Sequence, residues 1–466
     1  MKKQYAVILT FTLGVLFAQV EMNFSYELKY GNGKEVKTYS NSKTDYSYFE
    51  NILDVNTYFG QNIYAYTQLE YSNPPIYGYS RTGIDSMLTT FYVEYSHDKF
   101  NVKLGDLLDL YGRGLVFYTF QDQNIDYDNG ISGLCLKYFS RDNLTLSTLL
   151  GTGKYAFRSN PTRRITDYEL DANAFLGSIN YENRDLGFFQ FTYLFQQSIH
   201  GSDLIEDIYF EQTEIGEELN NRCNLHDCTN SNESDTVTTK NINFNWNHFM
   251  GPFDIYLDKS WIYYDKIYGD EVFGSRFYTS IYAELLGAGI TYEYKNYHVP
   301  YLLKFLSNPP IAYREGTSIL ASRNAHSMNF GNEVGHQIDI NKTMFNDVNV
   351  SLNLSLAHRQ DLENRGSIQL MDVLSMKEEN EVYVHYPFRQ IYLEMNRWTL
   401  SDQLYYKLGL DDFTEFTIVV GSTTKQTYAT TIPTQWVWKF NSGNSLTVYF
   451  ELQNKTEKIL TDNQVS

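Results

Sequence analysis

Long apolar runs are what this sequence most conspicuously lacks. Beyond the N-terminal leader, no stretch approaches the roughly 18 to 20 uninterrupted apolar residues that a membrane-spanning helix needs. The mean hydropathy of −0.42 also excludes a bundle of such helices. Positive charge is scarce: 37 Lys and Arg stand against 56 Asp and Glu, a formal net charge of −19. Nucleic-acid binding needs a basic surface, so that class is set aside. Only three cysteines occur, too few for a disulfide scaffold. Enzyme constellations are missing too. The nine histidines form no H-E-x-x-H, and no G-x-S-x-G is present. His200-Gly201-Ser202 and His326-Ser327 place a histidine near a serine, but proximity in sequence alone is weak evidence for a catalytic pair. No enzyme activity, cofactor or metal is expected.

What the chain does have is tyrosine, 41 of them, within an aromatic content of 16%. An apolar ring with a polar tip suits a boundary between lipid and water. It also has strict alternation. In Ile242-Asn243-Phe244-Asn245-Trp246-Asn247 every second residue is apolar and those between are asparagine. Val348 to Leu356 alternates aliphatic residues with Asn349, Ser351, Asn353 and Ser355, and Leu446 to Leu452 repeats the pattern. A strand sends successive side chains to opposite faces, so each of these segments is built for two different surroundings.

The N-terminus reads as a secretory signal peptide over 1–19. Lys2 and Lys3 precede an apolar run of about 14 residues that is too short to span a bilayer, with cleavage expected after Ala18 or Gln19. From residue 20 to 466 the expectation is all-β: a single large antiparallel transmembrane β-barrel of about 22 strands, within roughly 18 to 26. The less regular candidates are 99–106, 113–120, 299–306 and 402–411. Short Gly-, Asn- and Asp-bearing turns, such as Phe59-Gly60-Gln61-Asn62 and Asn441-Ser442-Gly443-Asn444, alternate with long loops such as 152–170, 200–236 and 307–325. That rhythm fits tight periplasmic turns and long extracellular loops. A soluble propeller or solenoid would need a fixed period and an apolar core, and neither is seen.

Two segments depart from alternation. Gly105 to Leu115 puts Asp106, Asp109 and Arg113 among three glycines. One reading makes it a lumen cluster in which Arg113 meets an anionic ligand. The other makes it an inward fold locked by Arg113 pairing with Asp106 or Asp109. Asn308-Pro309-Pro310-Ile311-Ala312-Tyr313-Arg314-Glu315, continuing to Asn329 through Gln337, is stiff at its start and charged in its middle, and reads as a constriction or plug contact or as a packed loop with an internal ion pair. Its opening echoes Ser72-Asn73-Pro74-Pro75-Ile76. Cys135 lies in an apolar strand. Cys223 and Cys228 flank His226 in a polar loop, where a local disulfide is the first expectation. Free thiols and a metal site are the alternatives, although the spacing matches no standard zinc pattern.

These segments resemble an uncharacterised family of large outer-membrane β-barrel proteins of Bacteroidota-like bacteria. The family shows G-D-x-x-x-x-x-G-R-G-L, here Gly105 to Leu115; P-P-x-x-x-R-E, here Pro309 to Glu315; and N-x-x-x-E-x-G-x-Q, here Asn329 to Gln337. The resemblance implies an outer-membrane location and no particular activity. The ending Thr461 to Ser466 departs from the terminal aromatic common in such barrels, which suggests an incomplete sequence. The expected function is a porin-like channel or the barrel of a transport or secretion system. The alternative is a surface binding or adhesion module centred on loop 200–236. Outer-membrane lipid is the expected partner, with a periplasmic or surface protein as a second class. Lysine at Ile242 or Leu352 is expected to impair assembly, and lysine at Asn243 or Asn353 to be tolerated.

Overall fold

The computed structural model describes residues 20–460 outside 37–42, 74–77, 81–86, 123–126, 141–142, 159–167, 201–234, 268–269, 300–305, 317, 329–330, 345–346, 361–367, 377–384, 421–422 and 442. The signal-peptide residues, Cys223 and Cys228 lie outside the described residues, as do Pro74 and Pro75 of the first Pro-Pro copy.

The protein is all-β, and among the described residues 19 long strands and one short one form a single antiparallel sheet. Each long strand pairs with the next long strand in the chain, from Val20–Val36 against Lys43–Phe59 through to Thr423–Asn441 against Asn444–Leu460. The three-residue Gly78–Ser80 extends the sheet beside the end of Leu144–Arg158. Among the described residues, the first and last long strands each pair on one side only. Their sequences explain the form: alternation supplies the two faces, and Tyr, Phe, Val, Ile and Thr supply the β-favouring side chains. Tight turns close one end of the sheet, for instance between Met250 and Phe253, Leu285 and Ala288, and Asn441 and Asn444. Non-glycine residues Asn143 and Asp347 take left-handed backbone at two of them, φ 57° and 74°.

Three strand expectations change. Residues 402–411 and 413–424 belong largely to one strand, Leu404–Val420. Residues 113–120 do not join the large sheet. They fold inside it, with only Phe117–Tyr118 extended, against Leu110–Tyr111. Of 299–306, the described residues Val299 and Leu306 are buried outside any strand. The long-loop end also carries two short connections, Ile267 to Asp270 and Val420 to Thr423, so the alternation of turn and loop is not strict.

The two faces of the sheet differ as alternation demands. On Asp235–Met250, Ile242 and Phe244 are 42% and 40% exposed, while Asn241, Asn243 and Asn245 are buried. Leu134, Leu150, Leu352, Leu393, Leu446 and Phe450 extend the exposed apolar face round the sheet. Tyr138, Tyr181, Trp246 and Trp438 lie near the tight turns, and Tyr30, Tyr71 and Phe273 nearer the other end. The face with the asparagines is polar yet buried, because segments of the chain fold against it. The largest apolar core lies on this inner side: Leu107, Tyr111, Val116 and Phe117 pack with Ile131, Leu149, Leu176, Leu194 and Leu306. Burying a side chain of this size contributes about 1.5–3 kcal/mol, so several together hold the inward segment against its ordering cost.

Candidate functional site: two segments folded against the inner face

The stretch after Phe100–Leu107 turns inward instead of extending as a loop. Asp106 fixes its root. One carboxylate oxygen accepts from the Phe91 backbone N–H at 2.6 Å and the other from Ser132 Oγ at 2.6 Å, so Asp106 joins the strands on both sides of its own. Asp109 lies just beyond, its Oδ2 2.8 Å from Lys137 Nζ. The chain then crosses to the far wall. The Gly112 N–H donates to Gln190 Oε1 at 2.8 Å, and the Arg113 N–H donates to Asp258 Oδ2 at 3.2 Å. Asp258 is held in turn by Asn243 Nδ2 at 2.6 Å and Tyr256 Oη at 2.9 Å.

Glycine is required at this crossing. Gly112 has φ 64° and Gly114 φ 86°, both left-handed. A Cβ at Gly114 would stand 2.3 Å from the Asn308 carbonyl oxygen, and one at Gly112 would stand 2.7 Å from Asp258 Oδ2. Arg113, between them, is exposed. Its guanidinium lies 4.1 Å from the Tyr256 ring centroid and donates to Tyr278 Oη at 3.2 Å, and Tyr278 donates onward to Glu293. The expected Arg113 pairing with Asp106 or Asp109 is therefore replaced. The crossing carries Arg113 away from both aspartates to tyrosines on the opposite strands.

The second segment meets the first. The Asn308 N–H donates to the Gly114 carbonyl at 3.1 Å, and the Tyr118 N–H donates to the Leu306 carbonyl at 2.9 Å. Arg276 clasps both: its Nη1 donates to the Leu115 carbonyl and to Ser307 Oγ, each at 3.0 Å. Tyr297 Oη donates to the Pro310 carbonyl at 2.8 Å. Further on, the Arg314 guanidinium stacks 4.0 Å from the Tyr392 ring, with Nη2 3.9 Å from Glu394 Oε2. Glu315 is exposed. Arg314 takes its carboxylate from the wall, Glu394, which stands beside the stacking ring. The segment ends against the last long strand, where the N–H groups of Ile319 and Leu320 donate to the Glu451 carboxylate at 3.0 and 2.8 Å.

A buried charge network anchors the same segment near His326. His326 Nδ1 lies 2.8 Å from Glu415 Oε1 and Nε2 lies 3.3 Å from Glu333 Oε1, while its ring stacks on Phe388 at 4.1 Å. Lys295 Nζ is 2.5 Å from the same Glu333 oxygen. Burial alone would push the His326 pKa down, but the neighbouring Glu333 and Glu415 outweigh it and raise it.

The structure thus joins the Arg113 and Arg314 segments into one partition across the inner space. Sequence reading missed the wall residues that hold it: Asp258, Arg276, Lys295, Glu415 and Glu451. A charged residue at an inward strand position is their only local signal, and it does not name a partner. Among the described residues, no group of three or more His, Cys, Asp or Glu side chains is placed to hold a metal ion. Cys135 is buried, its Sγ 3.8 Å from Asp109 Oδ2.

The model of a family of unknown function, DUF6029, matches residues 1–199. No curated protein matches the chain. Among solved structures, the outer membrane protein opdK from Pseudomonas aeruginosa is 10% identical over 95% of this chain and 100% of its own, with TM-score 0.40. A BenF-like porin from Pseudomonas fluorescens Pf-5 is 9% identical over 95% and 100%, with TM-score 0.42. OccAB4 from Acinetobacter baumannii is 9% identical over 95% and 99%, with TM-score 0.41.

Proposed function

We propose that this chain forms a porin-like channel of the outer membrane, its lumen narrowed by the two inward segments, either acting alone or as the barrel of a transport or secretion system. The observation that carries the reading is the division of the sheet. Ile242, Leu352 and Leu393 stand exposed on one face, and a buried, hydrogen-bonded polar face stands behind them. An apolar band with a polar interior is what a barrel in lipid requires. A wall of 19 long strands encloses more space than side chains alone fill, which gives the inward segments a role as a constriction. In this orientation the tight turns face the periplasm and the long connections face outward.

Single-channel recording in planar bilayers tests the proposal. The full chain should show small, steady conductance. Replacing 110–120 with a short Gly-Ser linker should raise it several-fold, because Arg276 and Asn308 lose their partners on the first segment. Absence of conductance from both proteins, with folding verified by heat-modifiable gel migration, would overturn the channel reading in favour of a closed binding module.

A further inference from the structure

We infer that the inner face carrying Tyr58, Tyr64, Tyr66 and Tyr92 binds organic ammonium cations. The inference rests on the channel reading insofar as this face must meet water inside the barrel. The four tyrosines come from three adjacent strands, in which Tyr58 pairs with Tyr64 and Tyr66 with Tyr92. Their rings form a continuous track, with centroids 5.0 Å apart for Tyr58–Tyr64, 5.9 Å for Tyr64–Tyr92 and 5.4 Å for Tyr66–Tyr92. Asp54 and Glu94 flank it on the same face. The Tyr64 hydroxyl donates to Asn56 Oδ1 at 2.6 Å and the Tyr66 hydroxyl to Asp54 Oδ1 at 2.7 Å. With those protons engaged, the track offers π faces and carboxylates, which together attract positive charge.

One ammonium group already sits there. Lys103 Nζ lies 3.8 Å from the Tyr92 ring centroid, on the strand that pairs Lys103 with Glu94. The same seating recurs on the inner face: Arg113 on Tyr256, Arg314 on Tyr392, and Lys439 3.9 Å from the Trp398 ring. The inner aromatic rings thus repeatedly hold the protein's own cations, and while Lys103 sits over Tyr92, Tyr58 at the other end of the track is 41% exposed. An alkylammonium ion suits it better than a small metal ion, since rings do not replace the tightly held water of a metal ion. A formal charge of −19 raises the local concentration of any such cation.

The test is calorimetric titration of the purified full-length protein in detergent with tetramethylammonium chloride, against sodium chloride as control. Saturable binding of tetramethylammonium alone is expected. Tyr92→Leu should weaken it about tenfold, the scale of a partly desolvated cation–π contact. Tyr58→Leu, at a ring already 41% exposed, should weaken it less and serves if Tyr92→Leu does not fold. Lys103→Met should strengthen binding several-fold by vacating the Tyr92 face. Equal heats for the two salts would overturn the inference, as would an affinity unmoved by Tyr58→Leu and Lys103→Met. A protein that conducts but does not bind tetramethylammonium sinks this inference alone. One that binds it in detergent but never conducts sinks the channel reading alone.

Discussion

His326 is a residue whose protonation the fold controls. Glu333 and Glu415 lie on either side of its ring, Lys295 neutralises part of Glu333, and Phe388 and Tyr313 pack against the ring. Because its folded pKa is raised above the ordinary histidine value, the folded protein holds the proton more tightly than the unfolded chain does. The resulting stability is fully present below about pH 6.5 and drains away as pH rises through the folded value. Unfolding midpoints in urea, measured from pH 6 to pH 9 in detergent, should fall across this window, and His326→Gln should flatten the slope. An unchanged slope in the variant would remove His326 as its source. Lysine substitutions test the facing of the wall. Ile242→Lys and Leu352→Lys should each cost about 2–4 kcal/mol at the bilayer midplane and depress assembly. The expected tolerance of lysine at Asn243 and Asn353 is revised, because both are 0% exposed and Asn243 bonds Asp258. Asn349→Lys, at an exposed inner position, is the appropriate control. Folding yield by heat-modifiable migration should separate it from the other two.

At the scale of the element, the question is what keeps two irregular segments docked. Gly114 is the tightest point, left-handed and within 2.3 Å, at its absent Cβ, of the Asn308 carbonyl oxygen. Gly114→Ala should therefore cost about 1–3 kcal/mol through backbone strain and the clash together. The expected readout is faster proteolysis within 108–130 and a larger conductance. Gly177→Ala, where nothing lies within 4 Å, should change neither. How far this element was legible is clear from its residues. Gly112-Arg113-Gly114 marked a sharp departure from the sheet, and Pro309-Pro310 marked a stiff start. That the two would bond each other, through Gly114 and Leu306, was not legible. Partners nearly 200 positions apart leave no local trace in a single sequence. Arg113 was assigned the nearest aspartates for the same reason: only nearby acids are visible before the chain turns.

For the whole molecule, alternation placed nearly every long strand, and the corrections came where a segment had a second option. Residues 113–120 carry apolar, β-favouring side chains, yet they bury them against Ile131 and Leu149 rather than in the wall. The outward face predicts a spectroscopic result. Trp246 shares a face with Ile242, Trp261 pairs with Ile242, and Trp436 and Trp438 pair with Val448 and Leu446. Trp398 is on the inner side, under Lys439. In vesicles containing brominated acyl chains, the wild-type tryptophan emission should be strongly quenched. A variant keeping only Trp398 should be largely protected. Strong quenching of that variant would reverse the facing assignment.

The sequence by itself determined the wall: its strands, faces and tight turns. Each of these follows from periods of two and from turn chemistry, which act between near neighbours. Only the tertiary structure decided what stands inside the wall. Docking Arg113 against Tyr256 and Tyr278, Ser307 against Arg276 and His326 between Glu333 and Glu415 brings together residues from separate strands and segments. The energies involved are those of burial and of satisfied buried charge, and these depend on which surfaces meet rather than on which residues are adjacent.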